Sequence, residues 1–235
     1  MIAAEEKTLR EGAAQLGLVL DDLQAQRLLA YGALILKWNK VYNLTALRDP
    51  ALVMTHHLLD SLSVIGPLER QCGGPTDAKL RLLDVGAGAG LPGVVIAILR
   101  GDVDVSCVDA VAKKAAFVQQ VAVELKFPNL RGVHARVENL TGAYDVISCR
   151  AFASLVDFYQ GSKQLIADDG VWLAMKGKVP DAELITLRGL ADSSQSVDVF
   201  HVEHLQVPGL DAERCIVWAR KSAEAVKAAQ AAQAV

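Results

Sequence analysis

The sequence predicts an α/β fold, with a doubly wound, mostly parallel sheet of seven strands and an N-terminal helical extension. Short apolar segments that favour strands alternate with helical segments from residue 80 onward, a pattern typical of a parallel sheet. The last two strand segments have no convincing helix between them, and Pro208-Gly209 supplies a turn, so we expect a hairpin with one antiparallel strand at a sheet edge. The strands are expected at residues 81–85, 103–108, 131–134, 144–149, 171–176, 197–207 and 214–219, and the helices at 92–99, 111–127, 154–167 and 182–191.

Two further helices are predicted over residues 5–39. Asp21 and Asp22 can cap the second of them. Its apolar side chains recur at helical spacing and form one stripe, which we expect to pack on the main domain. The stripe comprises Leu23, the stem of Arg27, Leu28, Tyr31, Leu34, Ile35 and Trp38.

Length and composition indicate a globular protein with one α/β domain. The chain has 235 residues, of which 52% are hydrophobic and 22% charged, so it can bury a substantial core. We expect a helical extension over residues 1–79, packed on an α/β catalytic domain over residues 80–221. Residues 222–235 form an Ala/Gln-rich tail, which we expect to be a frayed helix without function.

Charge, cysteine usage and hydropathy limit the partners and the compartment. The net charge of −3 means that any nucleic-acid contact must come from a local basic patch. None of the four cysteines lies in a C-x-x-C pair, which argues against zinc and thioredoxin-like chemistry and fits a reducing cytosol. The N-terminus lacks a signal-peptide pattern and no apolar run is long enough to span a membrane. We therefore expect a cytoplasmic protein with no membrane contact and no metal.

A strand, a tight glycine loop and a helix are predicted within residues 80–99, LRLLDVGAGAGLPGVVIAIL. Gly86, Gly88 and Gly90 alternate after the strand, where glycine allows positive φ and close approach of a ligand to the backbone. Pro92 suits the first turn of the helix. Free N–H groups at a helix start favour a polar or anionic ligand group, so this stretch indicates a nucleotide-type cofactor site rather than a simple turn.

Two cofactor classes fit this loop. Gly88-x-Gly90-x-x-Gly93 satisfies the dinucleotide fingerprint, with Asp109 at the distance of a ribose-binding acid. The alternative is the D-x-G-x-G-x-G loop of methyltransferases that use S-adenosylmethionine, which begins here at Asp84. The terminal hairpin favours S-adenosylmethionine, since a dehydrogenase sheet does not need one. In both cases Asp109 would hold ribose hydroxyls, although it could instead only cap the following helix.

Four cations follow the predicted strand ends, where ligands bind in an open parallel sheet. They are Arg136, Arg150, Lys176 and Lys178. Surface cations are often merely solvated, but four of them beside a cofactor loop indicate the local basic patch that a nucleic-acid substrate requires.

A helix carries His57 and Ser61 four residues apart, with Asp60 between them. We reject a catalytic triad, because no oxyanion motif accompanies these residues. A metal site also fails, since the adjacent His56 and His57 point apart. We expect hydrogen bonding that shapes one wall of the cofactor cleft.

Seven motifs together resemble the GidB family, the bacterial guanine-N7 methyltransferases of small-subunit ribosomal RNA. In order they are NLTA, H-x-x-D-S-L, LLDVGAGAGLPG, VDA-x-x-K-K-x-x-F, R-V-E, SCRAFAS and MKG, between residues 43 and 177. The resemblance implies the fold of class I S-adenosylmethionine-dependent methyltransferases, called Rossmann-like, and methylation of a guanine in the decoding-region loop of 16S rRNA. It also implies a substrate within the small subunit or its precursor. We expect a monomer, because no spare apolar stripe remains.

The resemblance assigns roles to individual residues. Gly86 and Leu91 would line the cofactor site, with Val137 and Glu138 near the adenine and Arg150 beside the cofactor. The cations Arg136, Arg150 and Lys176 match positions associated with binding and activity, and we add Lys178 as a substrate contact. The departures are small, with Cys149 and Ala110 replacing more usual residues.

The residues agree with transfer to a ring nitrogen. Guanine N7 has a free lone pair, so alignment with the methyl donor is the main requirement and no base is needed. The D/N-P-P-Y/F motif of exocyclic-amino methyltransferases is absent after strand four. Cys149 as nucleophile of a cytosine-C5 enzyme lacks a supporting motif, and Phe152 is the nearest base-stacking candidate. The remaining alternatives are an NAD-linked oxidoreductase and a non-enzymatic RNA-binding assembly factor.

Overall fold

A seven-stranded sheet forms the centre of the computed structural model, which describes residues 2–75, 79–152, 154–189 and 197–222. The strands are β1 Leu80–Val85, β2 Val103–Asp109, β3 Leu130–His134, β4 Tyr144–Arg150, β5 Ile166–Lys176, β6 Val197–Leu205 and β7 Arg214–Lys221. Their order is β3-β2-β1-β4-β5-β7-β6, which confirms the predicted doubly wound sheet. Because strand order reverses between β1 and β4, ligands are expected outside the carboxyl ends of these two strands.

The terminal hairpin is confirmed, but the predicted place of its antiparallel strand is wrong. β7 pairs antiparallel with both β5 and β6, so it lies second from the edge and β6 forms the edge. After the turn at Pro208-Gly209 the chain runs back as β7, which lies between β5 and the edge strand β6. Arg214, the first residue of β7, consequently lies level with the carboxyl end of β5, where Cys215 is opposite Lys176.

The helices cover the two faces of this sheet. They are α1 Ile2–Gln15, α2 Asp22–Tyr42, α3 Pro50–Val53, α4 Asp60–Leu62, α5 Ile65–Cys72, α6 Gly93–Leu99, α7 Ala112–Glu124, α8 Leu155–Ser162 and α9 Asp181–Gly189. A π-helical turn, Met54–Leu59, joins α3 to α4, and a 3₁₀ turn, Val137–Asn139, follows β3. The predicted helix over 154–167 is too long, because β5 already begins at Ile166. The predicted tail lies outside the described residues from 223 onward.

The two predicted N-terminal helices are confirmed as α1 and α2. Asp21 caps α2 through a capping box with Gln24, in which each side chain bonds to the other residue's backbone N–H. The predicted apolar stripe is correct at Leu28 and Tyr31 but wrong at Leu23, which is 54% exposed.

Apolar residues form one core on each face of the sheet. The larger core joins Leu9 and Leu28 of the N-terminal helices to Val94 of α6 and Trp218 of β7. The smaller core lies beneath α8 and α9. The N-terminal helices therefore share a core with the sheet, and the boundary at residue 79 stays a prediction.

Candidate active site

The glycine loop after β1 has a backbone that side chains would disturb. Gly86, Gly88 and Gly90 have φ angles of 65°, 60° and 87°, in the left-handed region that favours glycine. A Cβ atom on Gly90 would lie 2.5 Å from Cγ2 of Val94. The loop can therefore present its main chain at the sheet edge, as both predicted cofactor classes require.

Asp84 fixes the start of the glycine loop to α6 and to β4. Its buried carboxylate accepts hydrogen bonds from Gly93 N at 3.0 Å and Ser148 Oγ at 2.9 Å, and so joins β1 to α6 and β4. Burial raises the pKa of Asp84 to about 6. Gly93 is needed for this contact, because a Cβ there would lie 2.6 Å from Cys107 Sγ.

Asp109 lies at the carboxyl end of β2, as predicted. Its Oδ2 accepts a hydrogen bond from Gly88 N at 3.0 Å, and its Oδ1 accepts one from Val111 N at 2.8 Å. Lys114 Nζ lies 3.8 Å from the same carboxylate. Asp109 therefore tightens the glycine loop and supports the start of α7, while each oxygen keeps a further lone pair for a ligand.

A cofactor cavity opens between this loop and the segment after β3. It is lined by Val85, Gly86, Val108, Asp109, Ala110, Ala135, Arg136, Val137, Glu138 and Phe152. These residues fit S-adenosylmethionine, since Gly86 leaves an uncovered main chain and Asp109 supplies a carboxylate that can accept hydrogen bonds from hydroxyls. Four of the residues predicted to contact the cofactor therefore line this one cavity, namely Gly86, Asp109, Val137 and Glu138.

Leu91 and Phe152 lie differently from their expected roles. The Leu91 side chain is 3% exposed in the larger core, and its N–H donates to Ala87 O at 3.1 Å, so it supports the loop from behind. Phe152 lines the cofactor cavity and faces Gly86, where a Cβ would lie 3.5 Å from its ring. The predicted stacking of a substrate base on Phe152 is not supported by this position.

A second cavity, here called the cation pocket, lies beside the first. It has a volume of about 380 Å³ and is lined by Leu47, His56, His57, Asp60, Arg150, Ala151, Met175, Lys176, Gly177 and Arg214. Arg150 and Ala151 line the cation pocket while Phe152 lines the cofactor cavity, so consecutive residues after β4 form the wall between them.

Asp60 organises the arginines of the cation pocket. It is 2% exposed, and its Oδ2 lies 3.0 Å from Arg150 Nη1 while its Oδ1 lies 2.9 Å from Arg214 Nε. Arg150 also donates to His56 O at 2.9 Å. A single buried carboxylate from the N-terminal part of the chain thus fixes two guanidinium groups from β4 and β7.

Lys176 is paired as well. Its Nζ lies 3.0 Å and 3.1 Å from the two carboxylate oxygens of Glu183 on α9. Glu183 Oε2 also accepts a hydrogen bond from Leu155 N, at the start of α8. Glu183 therefore neutralises Lys176 and links α9 to α8.

The four predicted cations do not form one patch. Arg150 and Lys176 share the cation pocket, whereas Arg136 lines the cofactor cavity. Lys178 lies in a third cavity, with the hairpin residues between His204 and Arg214. The grouping predicted from strand ends is therefore reproduced only for Arg150 and Lys176, while Arg214 lines both the cation pocket and the cavity of Lys178.

His57 lies in the cation pocket rather than in the cofactor cleft, which corrects its predicted place. Its Nε2 lies 2.8 Å from Thr45 Oγ1, and its Nδ1 lies 3.4 Å from Arg150 Nη2. Burial, and secondly the charge of Arg150, lower the pKa of His57 to about 4. His57 is thus a neutral hydrogen-bonding residue, in agreement with the predicted hydrogen bonding.

Sequence reasoning missed Arg214 and Tyr31. The predicted hairpin contained the signal for Arg214, since the first residue of an antiparallel strand lies at the carboxyl edge of its parallel neighbours. Tyr31 is fully buried and its Oη donates a hydrogen bond to Ala89 O, in the glycine loop, at 2.6 Å. The sequence places Tyr31 in an apolar stripe, and that pattern does not indicate a hydrogen bond to the glycine loop.

Metal-binding and membrane-spanning features can be checked in the part of the chain that the structure describes. Within the described ranges, no group of His, Cys, Asp and Glu side chains could hold a metal ion. No helix in the same part of the chain is long and apolar enough to cross a membrane.

Comparison with known proteins agrees with this geometry. Among solved structures, a SAM-dependent methyltransferase from Aquifex aeolicus aligns with a TM-score of 0.53 at 15% identity, over 77% of this chain and 97% of that one. A ribosomal protein L11 methylase from Lactobacillus delbrueckii aligns with a TM-score of 0.50 at 13% identity, over 74% and 80%. At such identities these matches show the fold alone.

Sequence comparison is more specific. The chain is 60% identical to ribosomal RNA small subunit methyltransferase G of Paracidovorax citrulli, over 92% of this chain and 91% of that protein. It is 59% identical to the protein of the same name from Albidiferax ferrireducens, over 93% and 98%. The family described as GidB, rRNA small subunit methyltransferase G, matches residues 24–215. With the glycine loop, Asp109 and an adjoining cationic cavity in place, the chain belongs to the GidB family of S-adenosylmethionine-dependent methyltransferases.

Proposed function

We propose that this protein transfers a methyl group from S-adenosylmethionine to N7 of a specific guanine in the decoding-region loop of 16S rRNA. The observation that carries the proposal is the wall shared by the two cavities, formed by Arg150, Ala151 and Phe152. Because the two cavities adjoin at this segment, a base would enter through the cation pocket and react at the edge of the segment, where N7 can come within about 3 to 3.5 Å of the methyl group.

The cation pocket suits an acceptor that needs orientation rather than deprotonation. Guanine N7 attacks with its own lone pair, so the reaction needs no general base. His57, with its pKa lowered to about 4, stays neutral. Arg150 and Lys176 can donate hydrogen bonds to guanine O6 or to phosphate, which would align the ring for attack. We assign them the catalytic roles, and we keep Arg136 and Lys178 as RNA contacts outside the cation pocket.

The cofactor cavity would hold the donor with residues of three segments. We propose that Gly86, Gly88, Gly90 and Leu91 form the loop around its amino-acid part, that Asp109 accepts hydrogen bonds from the ribose, and that Val137 and Glu138 flank the adenine. Arg150 borders the donor from the other side of the wall. When bound, the cofactor supplies an electrophilic methyl group on a sulfonium.

The partner follows from the same proposal. The substrate would be 16S rRNA within the small ribosomal subunit or its precursor, methylated in the cytoplasm by a monomer. Sedimentation of the purified protein at micromolar concentration should give the mass of one chain, and a stable dimer would contradict this part of the proposal.

The decisive experiment is a map of 7-methylguanosine in 16S rRNA from cells with and without the gene. We expect one decoding-region guanine to lose the modification in the deletion strain and regain it when the intact gene is restored. Restoration with an Arg150→Ala variant should leave the site unmethylated. Methylation that is unchanged by deletion would refute the proposal and favour a non-enzymatic assembly factor.

A further inference from the structure

A fourth cavity, lined by two cations, lies on the N-terminal part of the chain and has no role in the function proposed above. This basic pocket, of about 430 Å³, is lined by Leu36, Asn39, Lys40, Arg48 and Pro50. It lies between the end of α2 and the start of α3. Lys37 precedes Lys40 by three residues on the same helix, so the two side chains share a face and extend the basic surface.

The cations of this surface differ from those of the cation pocket in having no carboxylate partner. Lys37, Lys40 and Arg48 are all exposed, and within the described part of the chain none of them forms an ion pair. The nearest acid in sequence, Asp49, directs its carboxylate to Ala51 N at 2.9 Å and caps α3. In a chain of net charge −3, two such cations at the cavity and Lys37 on the adjoining helix face form a local positive field.

The floor of the basic pocket is rigid. Asn39 is 3% exposed, donates to Leu47 O at 2.8 Å and accepts from Thr45 N at 2.9 Å, so it fixes the loop that follows α2. Arg48 Nη2 donates to Asn43 Oδ1 at 3.2 Å, which holds the guanidinium over the cavity. A fixed arginine beside a flexible lysine is an arrangement that suits phosphate groups.

The same loop connects the basic pocket to the cation pocket. Leu47 lines the cation pocket, and the next residue, Arg48, lines the basic pocket. Thr45 precedes Leu47 by two residues, and its Oγ1 lies 2.8 Å from His57 Nε2 in the wall of the cation pocket. An RNA strand whose base enters the cation pocket would therefore place its neighbouring phosphates over Lys40 and Arg48.

We propose that the basic pocket, with Lys37, Lys40 and Arg48, is a second RNA-binding surface that holds the phosphate backbone flanking the methylated guanine. The inference rests on the proposed function, because it takes the base in the cation pocket to belong to RNA. It adds that the N-terminal helices bind substrate. Phosphate contacts of this kind fix the register of the RNA and contribute a salt-dependent part of the affinity.

The test is a charge reversal, Lys40→Glu with Arg48→Glu, in the full-length protein. The matched control is Lys79→Glu with Arg131→Glu, two exposed cations at 67% and 57% side-chain exposure that lie near Asp104 at the opposite edge of the sheet. Three quantities are measured for each protein: KM for unmethylated small subunits, Kd for a protein-free 16S rRNA fragment across a salt series, and Kd for S-adenosylmethionine.

We expect the Lys40/Arg48 variant to raise KM and the RNA Kd roughly tenfold and to reduce the salt slope of log Kd by about 1.5, since each lost phosphate contact removes roughly 0.7 to 0.9. The S-adenosylmethionine Kd and the melting temperature should equal those of the parent protein. An effect no larger than the control's would overturn the inference. An effect on subunits alone would also overturn it, because the partner would then be a ribosomal protein. Failure of the proposed function itself would look different, because the parent protein would then methylate no subunits.

Discussion

The cofactor cavity and the cation pocket lie side by side at one sheet edge, yet they are built in opposite ways. The cofactor cavity uses main chain and one carboxylate, with Gly86, Gly88 and Gly90 in left-handed conformations and Asp109 bonded to Gly88 N. The cation pocket uses side-chain charges from distant segments. Its central carboxylate, Asp60, pairs with Arg150 and Arg214, which are 90 and 154 residues away in the chain.

This difference shows how each cavity can fail. Backbone geometry is local, so damage to the glycine loop should reduce cofactor binding and leave RNA binding nearly unchanged. Paired buried charges are cooperative, so removal of one partner leaves the others misplaced and desolvated. Damage to the cation pocket should therefore reduce the use of RNA while cofactor affinity is retained. Four experiments test whether cofactor binding and the use of RNA can be impaired independently.

The largest effect is expected from Gly90→Ala. The new Cβ would lie 2.5 Å from Val94 Cγ2, at a φ of 87° that alanine rarely adopts, so the loop must move. We expect S-adenosylmethionine affinity to fall about 100-fold, close to 2.7 kcal/mol, by calorimetry. Gly101→Ala is the control, because a Cβ there meets nothing within 4 Å. Retained affinity in Gly90→Ala would show that the loop does not bind the cofactor.

The second-largest effect is expected from Asp60→Asn. The amide keeps the shape but removes the charge that holds Arg150 and Arg214. We expect kcat/KM for small subunits to fall about 30-fold, near 2 kcal/mol, with the S-adenosylmethionine Kd changed less than twofold. Asp168→Asn, which removes an exposed partner of Lys221, is the matched control. A parallel loss of cofactor affinity would mean that the two cavities are not separable.

Tyr31→Phe tests whether the N-terminal helices support the cofactor loop. The change removes the buried hydrogen bond to Ala89 O and leaves that carbonyl unpaired, which costs about 1 kcal/mol. We expect S-adenosylmethionine affinity to fall roughly fivefold and the RNA Kd to stay constant. Tyr42→Phe, at an exposed tyrosine on the same helix, should change neither value. Equal affinities in both variants would limit Tyr31 to a packing role.

The smallest effect concerns pH. The pKa of His57 is lowered from 6.5 to about 4, so between these values the unfolded chain binds a proton that the native protein does not, and stability falls as pH decreases. From pH 7.5 to 6.0 this contribution is about 0.8 kcal/mol. Denaturant unfolding of the parent should show it, while a His57→Gln variant should lack it.

The pH dependence of stability must be compared between the parent and His57→Gln, because protonation of Asp84 changes stability in the opposite direction. Its pKa is raised to about 6, so its protonation favours the native state as pH falls through that value, equally in both proteins. His201→Gln, at an exposed histidine of β6, is the control. A His201 variant that matched His57→Gln would show that the pH effect does not arise in the cation pocket.

Much of the cofactor cavity could be predicted from sequence because its determinants are short-range. Glycines at alternate positions after an apolar strand already specify the loop conformation, and Asp109 follows the next strand at a fixed offset. Leu91 was the exception, since spacing does not reveal that its side chain enters the core.

The cation pocket could be predicted only in part. Arg150 and Lys176 were found because parallel strands end at one edge. Lys178, only two residues beyond Lys176, lines a different cavity together with hairpin residues. Arg214 was missed because its position depends on strand β7 returning antiparallel beside β5.

By itself the sequence determined the alternation of strands and helices, the glycine loop and the family, because these depend on local conformational preferences and on contiguous motifs. Only the tertiary structure decided which charges neutralise one another. The pairing of Asp60 with two arginines and of Glu183 with Lys176 results from long-range packing, as does the lack of an ion pair for Lys40 and Arg48 among the described residues. Coulomb interactions depend on distance and burial, and neither quantity is set by position along the chain.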